Sequence, residues 1–217
     1  MANQYFMNQT NYPHAAFAAQ TRAKQMAAVL ASVEQMQRNA AILDIPSVLL
    51  QAVIIPGEKT AEGQLVESVA LPWFQIIELI TRSPEIIYEI HWRKWEEIIA
   101  AAYREQGFDV VLTPRSNDKG RDIIATSKAL GSICIFDQVK AYKPGHVVTA
   151  EEVRSMIGVL TTKPNVSKGL VTTTSCFAPG IFQDSDIARL MPYRLELKER
   201  ESLLTWLASI AAKGEKS

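Results

Sequence analysis

Neither sign of charge is in excess in this chain, where 23 Lys and Arg balance 23 Asp and Glu over 217 residues. That balance argues against a protein that coats nucleic acid through bulk positive charge, so any nucleic-acid surface has to be a local patch. Histidine and cysteine are scarce as well. His14, His91 and His146 stand far apart, and Cys134 and Cys176 show no CxxC or Cys/His spacing, so no zinc site is expected. Both cysteines fall in apolar, strand-like surroundings, which predicts small buried side chains. No stretch approaches the roughly 18 apolar residues that span a membrane. The start, Met1-Ala2-Asn3-Gln4-Tyr5, also lacks the charged and apolar parts of a secretory signal. A cytoplasmic location is the default expectation.

What is present is ordinary for a compact domain, with 47% apolar residues. From Ala15 to Leu43 there is no Gly or Pro, which predicts one long helix at about 15–43. Met26, Val29, Val33, Met36, Ala40 and Leu43 follow at steps of three and four. That seam either packs the helix on its own domain or joins two copies in a homodimer. Ser47 to Ile55 is a short apolar run compatible with strand or helical turn, and Pro56-Gly57-Glu58-Lys59 and Ala61-Glu62-Gly63 read as loops. Pro72 opens a packing helix at about 72–82. The expected division is a mainly helical extension over 1–88 and a main domain over 89–217.

In that main domain, Trp92, Trp95, Ile98, Ile99, Ala102 and Tyr103 recur at helical spacing, with Gly107 placed as a C-terminal cap. Strands are predicted over Phe108–Leu112, Asp122–Thr126 and Ser132–Lys140. Thr149 and Glu152 form a capping box that opens a helix. A strand at Gly169–Thr173, a helix over Pro179–Leu190, a strand at Tyr193–Leu197 and a helix over Ser202–Ala212 complete the order. The pattern predicts an α/β fold, an α/β/α sandwich around a central mixed β-sheet.

Asp122 begins an apolar strand, where a carboxylate is desolvated unless it meets a cation or a metal. Gln138 and Lys140 alternate onto one face of the next strand, while Val139 points to the other. An acid, an amide and an amine within reach of one another suit a divalent ion with a water beside it. On the preceding helix Glu96 flanks the apolar face, whereas Glu97 falls on the wet side, so Glu96 is the helical acid expected to join them. The competing reading makes these carboxylates ordinary surface partners of nearby basic residues.

Trp95-Glu96-Glu97-Ile98-Ile99, Gly107-Phe108-Asp109-Val110, Ser116-Asn117-Asp118-Lys119-Gly120-Arg121-Asp122-Ile123-Ile124-Ala125 and Gln138-Val139-Lys140-Ala141-Tyr142 occur in this order. Val153 to Gly158 and Lys168 to Phe177 follow. Over roughly residues 92 to 190 the chain resembles the catalytic domain of Mrr-type restriction endonucleases, within the PD-(D/E)xK nuclease superfamily. The resemblance implies a restriction-endonuclease-like fold and metal-dependent cleavage of DNA, with Mg²⁺ as cofactor and Mn²⁺ as a substitute. It also implies Glu96, Asp122, Gln138 and Lys140 as catalytic residues, Asp122 and Gln138 being the metal ligands. Asp118 matches the first acid of the family's D-x-G-x-D stretch and is expected to shape the turn. Expected DNA contacts are Arg115, Ser116, Lys119, Arg121, Lys143, Arg154 and Ser175. A nuclease-like module that binds DNA or a partner with little or no cutting is the alternative, because Gln138 replaces an acid and Ala141 stands where the family usually has a basic residue. Asp137, beside the site on the opposite strand face, has no role that the sequence explains.

Overall fold

The computed structural model describes residues 45–114, 120–127 and 132–214. By its contacts the chain divides into Met1–Ser47 and Val48–Ser217, and the second unit contains the sheet. The long helix expected at about 15–43, and any dimer contact through it, lie outside the described residues.

After α1 (Ile45–Leu50), seven strands form one sheet in the order of the chain. They are β1 (Ile54–Lys59), β2 (Gln64–Val69), β3 (Asp109–Leu112), β4 (Ile123–Ser127), β5 (Ile133–Lys140), β6 (Lys168–Thr173) and β7 (Leu195–Lys198). Strands β1 to β5 pair antiparallel, whereas β5, β6 and β7 pair parallel. Parallel neighbours need crossovers. Helix α4 (Ala150–Thr162) supplies the first and the short α5 (Ser185–Ala188) lies in the second. Ile124, Phe136, Val171 and Leu195 on that face meet Val153, Met156 and Ile187 in one buried cluster. Alternation turns Ile123, Ala125 and Asp137 to the opposite face, under α3 (Trp92–Glu105). Helices α2 (Leu71–Arg82) and α6 (Arg200–Gly214) pack beside it. The expected α/β/α sandwich with its mixed sheet is the observed fold.

Local signals explain the helices that matter for the site. His91 caps α3, its Nδ1 accepting from Arg93 N at 3.2 Å, and the helix ends at Gly107, whose φ of +86° only glycine adopts readily. Trp95 is fully buried, with its indole donating to Ile87 O at 3.1 Å. The Thr149/Glu152 capping box opens α4 as the sequence predicts.

Three expectations are corrected. Residues 56–59, read as a loop, belong to β1. Pro56 has no N–H to give, but β1 is an edge strand with an irregular register at that point, where such a residue is tolerated. The hairpin therefore extends the same sheet. The single helix expected over Pro179–Leu190 is broken into a 3₁₀ turn (Ile181–Gln183) and α5. Asp184 interrupts it, accepting from the backbone N–H groups of Asp186 and Ile187 as the cap of a new helix. Cys176, expected to be buried, is exposed, and Cys134 is half-buried.

Gly63 closes the hairpin at φ +152°, and a Cβ there would stand 2.0 Å from the carbonyl oxygen of Leu112 on β3. The turn thus approaches β3 more closely than any side chain permits. Gly63→Ala should lower stability by about 1–3 kcal/mol, read as a lower urea midpoint. An unchanged midpoint would mean that the hairpin does not dock on β3 in this way.

Candidate active site

Asp122 sits one residue before β4 and is held by backbone on both sides. Its N–H donates to Asp137 O at 2.9 Å, and its carbonyl accepts from Thr113 N at 2.9 Å and Thr113 Oγ1 at 3.2 Å. The carboxylate then reaches across to β5, where Oδ2 accepts from Val139 N at 2.7 Å. Val139 lies between Gln138 and Lys140, so the acid is pinned beside the two residues that alternation turns to the other side of the strand. The sequence-predicted acid, amide and amine are therefore brought together by two neighbouring strands.

Gln138 is half-buried, and its Oε1 is buried with no hydrogen-bond partner among the described residues. An amide oxygen left so is costly and calls for an explanation. The Lys140 ammonium lies 3.6 Å from Glu152 Oε1 on α4. That same oxygen accepts from the Tyr142 hydroxyl, while Oε2 accepts from Thr149 N at 2.9 Å and Thr149 Oγ1 at 3.0 Å. Burial works to raise the Glu152 carboxyl, but the bonds from Thr149 and Tyr142 and the nearby Lys140 outweigh it and hold it below the ordinary range. Glu152 was legible in the sequence only as a capping residue. Its second task, holding Lys140, requires β5 and α4 to be adjacent, and no local pattern announces that.

Glu96 is 4% exposed and pairs with Arg93 one turn back on α3. Arg93 also donates to Thr113 O at 3.3 Å, and Thr113 is the residue that holds the Asp122 carbonyl. The helical acid is thereby tied to the base of the site through one arginine and one threonine. Among the described residues no group of three or more His, Cys, Asp or Glu is arranged to hold a metal.

Asp137 has an account that the sequence could not give. It is fully buried, with Oδ2 accepting from Tyr103 OH on α3 and Thr172 Oγ1 on β6, each at 3.0 Å. Its Oδ1 has no partner among the described residues. Burial pushes this carboxyl up to about 7 against the pull of the two hydroxyls, and burial with Asp137 beside it raises Tyr103 well above its ordinary value. The acid is thus a cross-link between the sheet and α3, beneath the site.

The expected DNA contacts separate. Arg121 is corrected: it is 2% exposed, lies over the Phe136 ring at 4.5 Å from its centre and pairs with Glu62 at the hairpin turn. A guanidinium in that position braces the hairpin against β5 and cannot meet a phosphate from solvent. A basic loop residue reads by default as surface, and the hairpin that buries this one went unrecognised. Lys143 is exposed just beyond β5. Arg154 is half-exposed and pairs with Asp184. The Ser175 hydroxyl is engaged, donating to His146 O at 2.5 Å. Arg115, Ser116 and Lys119, with Asp118, lie outside the described residues.

Residues 87–207, more than half of the chain, match the family model Mrr_cat, restriction endonuclease. The chain belongs to this restriction endonuclease family. It is 24% identical over 132 residues to the uncharacterized protein y4cE of Sinorhizobium fredii, covering 60% of this chain and 33% of that one. The chain thus spans about a third of the length of that curated relative. Among solved structures it is similar to the MspJI restriction endonuclease in complex with a 27-mer oligonucleotide, at 17% identity and a TM-score of 0.38, over 67% of this chain and 35% of that one. It is also similar to the DNA modification-dependent restriction endonuclease AspBHI, at 17% identity and a TM-score of 0.40, over 67% of this chain and 41% of that one. No helix among the described residues is long and apolar enough to cross a membrane.

The buried Asp137 makes stability depend on pH. Its folded value lies above the unfolded one, so folding holds a proton that the unfolded chain releases. The resulting stabilisation is complete below about 3.8 and is lost as pH rises through about 7. With divalent ions chelated, stability should fall between pH 4 and pH 8 by at most about 4 kcal/mol from this group. Asp137→Asn should flatten that slope in urea titrations at the two pH values. An equal slope in both proteins would show that Asp137 stays charged in the fold.

Proposed function

We propose that the chain is a divalent-metal-dependent endodeoxyribonuclease that hydrolyses DNA phosphodiester bonds in restriction or defence, acting in the cytoplasm. The observation that carries this is the Asp122 carboxylate anchored on Val139 N at 2.7 Å, between Gln138 and Lys140. The residues fit Mg²⁺, with Mn²⁺ as a substitute: a carboxylate stands beside a buried amide oxygen that lacks a hydrogen-bond partner among the described residues, and hard cations take such oxygens. Asp122 and Gln138 are the ligands. Bound there, the ion supplies positive charge to the phosphate under attack and lowers the pKa of water.

The remaining work falls to side chains of this chain. Lys140, held by Glu152 at 3.6 Å, directs its ammonium to the attacking water and to the negative charge that grows on the phosphate oxygens. Glu96 is the second acid, steadied by Arg93. Lys143 and Arg154 bind backbone phosphates without reading bases, joined by Ser175 and by Arg115, Ser116 and Lys119 in the segment before Asp122.

A second reading, a nuclease-like module that binds DNA or a partner without cutting, is favoured by one observation. Gln138 contributes no charge, so the site has one acid fewer for a cation. Supercoiled plasmid with Mg²⁺ separates the two. The nuclease reading expects nicked or linear product, reduced at least about 100-fold by Asp122→Ala or Lys140→Ala. It also expects Gln138→Glu to reach half-maximal activity at lower Mg²⁺. A salt-sensitive gel shift with no cleavage at any Mg²⁺ or Mn²⁺ concentration would favour the binding module.

A further inference from the structure

A cleft of about 320 Å³ opens beside the candidate active site. One wall is the start of α3 and the turn before it, with Tyr88, His91, Trp92 and Trp95. The other is the chain just after the Lys140 strand, with Ala141, Tyr142 and Lys143. Trp92 lies one helical turn before Glu96, and Ala141 follows Lys140 directly, so anything held here sits next to both sides of the site. The wall is also coupled to the lysine. The Tyr142 hydroxyl donates to the Glu152 oxygen that lies 3.6 Å from Lys140 Nζ.

The lining suits flat rings. Trp92 is 45% exposed although it opens a helix whose next tryptophan is fully buried. The His91 ring lies 5.2 Å from that of Trp92, and the Tyr142 ring is backed by His146 at 4.1 Å. Solvent-facing aromatic surface of this kind has a cost unless something covers it. The charged groups are balanced, with Lys143 on one wall opposed by Glu89 on the other. Opposed by Glu89, Lys143 gives the cleft interior no net positive charge to hold a phosphate. The carboxylate can, however, accept from the exocyclic amine of a base.

We infer that this cleft receives an unstacked nucleobase of the DNA strand under attack, stacked on Trp92 and Tyr142, and so fixes the position of the neighbouring phosphate at Lys140. Every base has a π face, so the grip tolerates any sequence, and it requires the strand to be locally opened. The inference rests on the proposal that DNA is the substrate, and it differs from it in predicting a contact to bases where the other contacts are to phosphates.

The test measures binding, so it does not depend on turnover. The full chain carrying Lys140→Ala is titrated in EDTA with a single-stranded oligonucleotide rich in cytosine and adenine, and with an abasic oligomer of equal length and charge. The base-bearing strand should quench tryptophan emission and bind about tenfold more tightly than the abasic one. Adding Trp92→Ala should remove that preference and leave the abasic affinity unchanged. Because Trp92 is exposed, its loss should spare the fold, which circular dichroism checks. Ala141→Leu, which fills the cleft instead of emptying it, should remove the same preference. Equal affinity for the two strands, or a preference that survives both substitutions, overturns the inference while DNA binding stands. Binding to neither strand also overturns the inference, while cleavage of plasmid DNA with Mg²⁺ decides separately whether the nuclease reading stands.

Discussion

The pairing of β4 with β5 is the constraint on which the rest depends. Ile123 opposite Asp137 and Ile124 opposite Phe136 fix which residues of each strand share a face. A slip of one residue would turn Gln138 and Lys140 under α3 and Asp137 toward α4. Nothing in either strand alone prevents that. The Asp122 side chain does, by accepting the Val139 N–H at 2.7 Å. One carboxylate thus belongs to the sheet's hydrogen-bond pattern and to the site, which explains how a polar group is tolerated at the mouth of an apolar strand.

The two faces of β5 divide the work between them. On the α4 side Lys140 finds Glu152 and Tyr142, and Gln138 keeps an amide oxygen without a partner among the described residues. On the α3 side Asp137 is buried and bound by hydroxyls from Tyr103 and Thr172. The first face carries an unsatisfied acceptor oxygen and an ammonium group close together. The second is a buried polar contact between a helix and two strands, made through Asp137 Oδ2 while Oδ1 stays without a partner among the described residues. Adjacent residues of one strand serve opposite purposes because the side-chain period is two.

The sequence made the sandwich legible because its signals are local: the apolar periodicity of α3, the Thr149/Glu152 box, and the strand runs after Gly107 and Gly120. That Asp122, Gln138 and Lys140 come together from neighbouring strands was legible too, because strand alternation is local. What escaped was non-local. Pro56 and Gly57 look like loop residues, and only pairing with β2 makes them strand. Arg121 looks like a surface cation until the hairpin turn brings Glu62 to it across 59 positions. Asp137 made no sense without Tyr103, 34 residues earlier, and Thr172, 35 later. Glu152 was visible as a cap, while its contact with Lys140 depends on how α4 lies over β5. These are the interactions that composition and periodicity do not encode.

The proposed roles of Asp122 and Gln138 require that both meet one hard cation. The direct measurement is the anomalous signal of Mn²⁺ in crystals of the protein. A peak at about 2.1 Å from both the Asp122 carboxylate and Gln138 Oε1, with Lys140 outside the coordination shell, is the expected result. Mn²⁺ bound only elsewhere, or none bound while Gln138 Oε1 stays without a partner at high Mn²⁺, would contradict the account.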